Sequence, residues 1–304
     1  MNRDTGGADS AEASKDGDYI GDASGFFHAS TPITDFDTAY NNGLAMPQVD
    51  DYIAGWLEKA PAFRASWPDC QLDLPYGEGA RNIYDYFLPK GTPKGTLVFI
   101  HGGYWRRFDK SYWSHLAGGA LAQGWRVAIP SYTLAPVARV TDIVGEITQA
   151  VNHICSGVEG PIVLAGHSAG GHLVSRLMCS DTALTDAVKA RVQHVISLSG
   201  VHDLRPLLQL EINTDIRLDE QEANLQSPAL LLPIEKVKLS CIVGADELPE
   251  FVRQSGVLAN IWSGFGIDTG SWRVAGRHHF DIIDDLQSGD TALTLHILGL
   301  RALR

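Results

Sequence analysis

Residues 161–173 read "PIVLAGHSAGGHL": an apolar run, then a single serine, Ser168, among small residues, then the start of an apparent helix. As a helix N-cap Ser168 would need no glycine two residues to either side. Gly166 and Gly170 instead complete the pattern G-x-S-x-G between a strand and a helix, which is a nucleophile elbow. In that turn the Ser168 hydroxyl is left exposed at the tip. The backbone N–H of Ala169 and the positive end of the following helix are aimed at the same point, where an oxyanion can be stabilised.

The surrounding sequence supplies the sheet that such an elbow needs. From Cys70 onward short apolar runs alternate with longer helical stretches: "CQLDLPYG", "NIYDYFLP", "GTLVFIHGG", "WRVAIPSY", "PIVLAGHS", "HVISLSG", "KLSCIVGADE" and "SWRVAGRHHF". Residues 110–123, 142–156 and 170–180 are the expected helices. Strands alternating with helices predict an α/β fold with a mostly parallel sheet covered on both faces, the first two runs forming an antiparallel edge. Residues 202–235 lack a clear strand and are expected to form a cap over the site. Residues 26–69 carry aromatic residues in polar surroundings and are expected to form a helical arm packed on the body. The first 25 residues are rich in Gly, Asp, Ser and Ala, too polar to offset the entropy of ordering, and are expected to be a disordered tail.

Composition narrows the function classes. The chain has 304 residues, 44% of them hydrophobic, enough for one large α/β domain. A net charge of -12 and the lack of any Lys/Arg cluster argue against a nucleic-acid partner. Four cysteines, Cys70, Cys155, Cys179 and Cys241, lie in or beside apolar stretches without metal-site spacing and read as reduced thiols. With no apolar core of signal-peptide length and no apolar run near ~20 residues, a cytoplasmic protein without a membrane partner is the expectation.

A serine hydroxyl is a poor nucleophile until a base takes its proton, and the base must be oriented by a third group. The partners should follow in the order serine, acid, histidine, at the ends of later strands. "KLSCIVGADELPEF" offers Asp246, Glu247 and Glu250, of which Asp246 is favoured because it comes first after the strand. "SWRVAGRHHFDIIDDL" offers His278 and His279. Upstream, "LVFIHGGYWRRFDK" is a strand ending in His-Gly-Gly, whose glycines can turn backbone N–H groups toward the serine. Gly102, Gly103 and Tyr104 are therefore the candidate oxyanion donors beside Ala169. His101 is expected to brace that loop, and His172 to be a packing residue. No His, Asp and Glu set has the spacing of a metal site.

Together "HGGYW", "SYTLAP", "GHSAGGHL", "GADE" and the terminal "HHF" resemble the kynurenine formamidase (arylformamidase) family of α/β-hydrolases, relatives of the hormone-sensitive-lipase-like esterases. Those esterases carry His-Gly-Gly-Gly, whereas Tyr104 and Trp105 follow the two glycines here, as in the formamidases. The resemblance runs from about Tyr40 to the C-terminus. It implies an α/β-hydrolase fold and hydrolysis of N-formylkynurenine to kynurenine and formate, a step of tryptophan breakdown, with no metal or cofactor. Ser168 would be the nucleophile, His279 the base and Asp246 the orienting acid, with Tyr104 and Trp105 walling an anilide pocket, core packing beneath the following helix being the alternative for Trp105. The expected partner is a small aromatic amide or ester, and a homodimer is a compatible assembly. Two other readings stay open: a short-chain carboxylesterase, and a catalytically idle hydrolase fold that binds a small ligand.

Overall fold

Every apolar run identified in the sequence becomes a strand. A computed structural model describes residues 19–21 and 32–303. Its strands are β1 (Tyr19–Gly21), β2 (Cys70–Pro75), β3 (Ile83–Phe87), β4 (Thr96–Ile100), β5 (Arg126–Pro130), β6 (Ile162–His167), β7 (Val192–Leu198), β8 (Lys238–Gly244) and β9 (Asp268–Val274). They form one sheet in the order β1-β9-β8-β7-β6-β4-β5-β3-β2. β5, β4, β6, β7, β8 and β9 run parallel, while β2, β3 and β1 add antiparallel edges. This is the α/β-hydrolase arrangement expected from the sequence.

Burial explains why the central strands read as unbroken apolar runs. All positions of β4 and β6 are buried, as a parallel strand covered on both faces requires. Alternation then divides each strand between two cores. Val98, Ile100 and Leu164 face one core, and Leu97, Phe99 and Val163 face the other. The first core is covered by the helices Val140–Ser156, Ala169–Arg176 and Pro249–Ser263, and the second by Val49–Ser66 and Ala292–Ile297. In Val140–Ser156 the buried Val140, Ile143, Ile147, Ala150, Val151 and Ile154 recur at three- and four-residue spacing, which makes one apolar stripe.

Two expectations change. Residues 110–123 are not one helix but two 3-10 turns, Lys110–Tyr112 and Ser114–Ala117, and a short helix, Gly118–Ala122. Lys110 is drawn toward the antiparallel edge by Asp85 at 2.6 Å and Asp73 at 2.7 Å, and Gly119 lies so close to the chain at Leu286 that a Cβ would stand 2.5 Å from its carbonyl oxygen. Within the expected disordered tail, Tyr19–Gly21 pairs antiparallel with β9, because the outer edge of β9 offers unpaired backbone groups. The rest of that tail lies outside the described residues. Residues 202–235 form short helical segments, held to Val140–Ser156 by the Glu222 carboxylate, which accepts from the Thr141 N–H at 2.9 Å and pairs with Arg139 at 2.7 Å.

Among the described residues no helix is long and apolar enough to cross a membrane. The four cysteines are free, and burial pushes the thiols of Cys155 and Cys179 up to about 12.

Candidate active site

The elbow is built by steric exclusion. β6 ends at His167 and a helix starts at Ala169, so Ser168 alone must make the turn, at φ 55 and ψ -117. That is a costly conformation for a residue with a Cβ, held only because its surroundings over-determine it. The Ser168 N–H is tied to the Leu198 carbonyl at 2.8 Å. A Cβ on Gly166 would collide with the Gly170 carbonyl, and one on Gly170 with the Ile100 carbonyl at the end of β4. Both motif glycines are thus needed for close backbone packing. Ala169, first in its helix, has an N–H with no intrahelical acceptor.

The loop after β4 is pressed against this turn. A Cβ on Gly102 would stand 2.9 Å from both the Ser168 Cβ and the His167 carbonyl oxygen. Gly103 has φ 110, and Tyr104, Trp105 and Phe108 also lie at positive φ. His101 braces the loop: its Nδ1–H donates to the Gly102 carbonyl at 2.8 Å, and its ring stacks on Tyr132 at 4.3 Å. Burial pushes its pKa down to about 4, so the ring stays neutral. His172 donates from Nε2 to the Gln226 carbonyl and packs edge-on against Trp105.

The histidine and its acid come from the loops after β9 and β8. His279 Nδ1 donates to Glu247 Oε2 at 2.8 Å, with Phe251 packed against the ring at 4.7 Å. The other oxygen of Glu247 accepts from the Gly244 N–H at 2.8 Å and from the Ser199 hydroxyl. A carboxylate so satisfied holds one orientation, and fixing Nδ1–H leaves His279 Nε2 as the basic nitrogen. His167, the residue before the serine, donates from Nε2 to the His279 carbonyl at 2.8 Å and so locks the elbow to the histidine loop. Burial holds the His167 ring well below the usual histidine range.

The expected acid therefore changes. Asp246 is exposed at a turn, with its N–H on the Arg277 carbonyl, whereas Glu247 comes back to the strand end and reaches His279. Being first after the strand puts Asp246 on the outer corner of that turn. Glu250 is engaged elsewhere, with Arg253 at 2.7 Å and the Tyr40 hydroxyl at 2.8 Å. His278 turns away from the site to bond the Tyr52 hydroxyl at 2.8 Å.

Ser168 and His279 line one cavity of about 140 Å³, together with Gly102, Gly103 and Tyr104. Trp105 does not line it. It is fully buried in the core beside His172, because its position in the loop turns the indole inward, so its expected part in the pocket wall is corrected. The aromatic wall comes from Trp56, Phe108, Trp113 and Phe280 instead. Much of the enclosure belongs to the N-terminal arm, through Tyr40, Asn41, Val49 and Ile53, while the cap segment adds only Leu210 and Ile212. The arm is pinned by the Tyr104 hydroxyl, which donates to the Tyr40 carbonyl at 2.6 Å, and by the Glu211 N–H, which donates to Asp37 at 2.8 Å. The sequence signalled an arm through its aromatics, but nothing in it said that the arm would wall the site. Among the described residues no group of three His, Cys, Asp or Glu side chains could hold a metal ion.

The chain is similar to known proteins. The BD-FAE family model matches residues 84–239, about half of the chain. A kynurenine formamidase of Drosophila melanogaster is 29% identical over 231 residues, 72% of this chain and 77% of the relative. A crystal structure from Silicibacter sp. TM1040, reported as a candidate thioesterase, superposes with a TM-score of 0.83 at 42% identity, covering 87% of this chain and 99% of that one. Esterase B of Lactobacillus rhamnosis, at 16% identity and a TM-score of 0.60, shares the fold, covering 82% of this chain and 91% of its own. The sheet order, the strained serine turn and these likenesses lead to one conclusion: the chain belongs to the BD-FAE family, and it is an α/β-hydrolase enzyme related to the kynurenine formamidases.

Proposed function

We propose that the chain is a serine hydrolase that cleaves an aryl formamide, N-formylkynurenine being the substrate that its relatives suggest, with Ser168, His279 and Glu247 as the triad. The observation that carries this reading is the Glu247–His279 pair on the wall of the cavity that also holds Ser168 at its strained turn. His279 Nε2 takes the Ser168 proton as the hydroxyl oxygen attacks the formyl carbon. The negative charge that builds on the carbonyl oxygen is met by the N–H of Ala169 and by those of the Gly102–Gly103 loop. Glu247 stabilises the imidazolium. Protonated His279 then gives its proton to the departing aniline nitrogen, the C–N bond breaks, and a formyl ester remains on Ser168. His279 next activates a water molecule, and formate leaves as the serine recovers its proton.

Formate release from N-formylkynurenine by the purified protein tests this directly. Ser168→Ala should remain folded and lose turnover by up to ~10⁶-fold. A folded Ser168→Ala protein with even a tenth of wild-type activity would overturn the triad. A formyl carbon bears only hydrogen, so a site closed around Gly102 and Tyr104 should prefer the formamide to its N-acetyl analogue by ~100-fold in kcat/KM.

The Silicibacter relative supports a second reading, a thioesterase, because a thiolate leaves readily without prior protonation. Assays of a short-chain aryl ester and an acyl thioester beside the formamide decide between them. Faster turnover of either one than of any aryl formamide would replace the formamidase reading.

A further inference from the structure

We propose that Ser199 is a positioning residue for the reaction, its hydroxyl holding the Glu247 carboxylate in the one orientation that serves His279. This rests on the proposed triad and not on which acyl group is cleaved. Ser199 follows the last residue of β7, is fully buried, and does not line the cavity that holds Ser168 and His279, so it can act only through another side chain. Its N–H donates to the Ile242 carbonyl of β8 at 2.7 Å, and its hydroxyl donates to Glu247 Oε1 at 2.5 Å. Glu247 Oε2 is the oxygen that takes the His279 Nδ1–H, so one carboxylate links Ser199 to the base.

The backbone shows what the hydroxyl is for. Ser199 sits at φ 53, in the left-handed region that a residue with a Cβ enters at a cost. A glycine would hold this turn without strain, so the hydroxyl is what offsets the Cβ. The turn has no room to relax. A Cβ on the next residue, Gly200, would stand 2.7 Å from His202 Nε2, and one on Gly171, in the helix that follows Ser168, 2.9 Å from the Gly200 Cα. Of the two donors to Oε1, the Gly244 N–H belongs to the same turn as Glu247 and moves with it. Ser199 comes from a different strand end and ties the carboxylate to the body of the site. Left with Gly244 alone, the carboxylate can swing, and each swing lengthens the bond to His279.

The test uses an alkyl fluorophosphonate, which reports on Ser168 whatever the natural substrate. The Ser168 oxygen bonds to phosphorus, the P–F bond breaks, fluoride leaves with the electron pair, and the serine proton passes to His279. Fluoride leaves without prior protonation, so the labelling rate at saturating reagent reads activation of the serine alone. Ser199→Gly and Ser199→Ala should both lower that rate ~10-fold with the half-saturating concentration unchanged. The Ala protein, which keeps the strained Cβ, should have the lower denaturation midpoint of the two. A merely structural role would instead make the rate follow the midpoint, with the Gly protein close to wild type. In a Glu247→Gln background either substitution should change the rate by less than ~2-fold, since no carboxylate remains to be held. A Ser199→Gly protein that labels at the wild-type rate, or losses that multiply in the double variant, would overturn the inference and leave the triad standing, provided that Glu247→Gln alone is slow. Wild-type labelling by Glu247→Gln alone would mean that the triad acid is misassigned, and the inference would fall with it.

Discussion

At the scale of single residues, the site turns on which acid faces His279. Asp246 and Glu247 are neighbours with the same charge, and the turn after β8 sends one carboxylate to solvent and the other to the imidazole. Glu247→Gln should keep the fold, since an amide can still accept from Gly244, while lowering kcat by up to ~10⁴-fold through a poorly held tautomer. Asp246→Asn should leave kcat within a factor of about two, as expected of an exposed surface group. Steady-state kinetics of the two variants decides the assignment, and the opposite ranking would return the role to Asp246. The histidines separate in the same way. His279→Ala should be crippling, whereas His278→Ala loses a bond to Tyr52 in the arm and one from the Phe280 N–H, neither of them to the serine.

At the scale of elements, the arm is the part whose role the structure enlarges. Trp56 from the Val49–Ser66 helix is buried in the core beside Trp113, their ring centroids 4.5 Å apart, so the arm joins the body by packing as well as by hydrogen bonds. Tyr40 is the central tie. Its hydroxyl donates to Glu250 at 2.8 Å and accepts from Gln254 at 3.1 Å, and its carbonyl receives the Tyr104 hydroxyl beside the serine. Tyr40→Phe removes the hydroxyl shared by Glu250 and Gln254, which keep Arg253 and the Asp203 carbonyl as partners, and should cost about 1 kcal/mol of stability, read as a lower denaturation midpoint. Because the same residue lines the cavity, KM should rise more than kcat falls. An unchanged midpoint with unchanged KM would show that the arm is held by packing alone.

At the scale of the whole molecule, the fold buries several histidines whose rings stay neutral. Burial pushes His101, His202 and His296 down to about 4, and His172 and His194 down to about 3, from an ordinary value of 6.5. For each of them the folded-state pKa lies below the unfolded one, so the unfolded chain binds more protons as the pH falls. Their contribution to stability is complete above about 6.5 and is lost progressively as the pH drops toward 4 and below. Urea midpoints should therefore fall steadily between pH 7 and pH 4.5. A midpoint that stayed flat across that range would mean that these rings are protonated without opening the fold.

The elbow, the strand runs and the candidate catalytic residue types were legible in the sequence because each follows from short-range constraints. A G-x-S-x-G turn must follow a strand, and a buried parallel strand must be apolar throughout. The choice of Glu247 over Asp246 was not legible, since it depends on how the turn after β8 meets the Arg277–His279 loop, two segments about thirty residues apart in the chain. Trp105 misled for the same reason: adjacent to Tyr104 in sequence, it takes the opposite side of a loop whose positive φ angles separate the two side chains. The break in the expected helix at 110–123 and the placing of the arm against Ser168 also depend on long-range contacts, with Asp85, Leu286 and Tyr104. The chemistry was thus written locally, in residue types and their spacing. The partners and walls of the site were decided by tertiary packing, because which side chains face one another across a cavity is set by the whole fold.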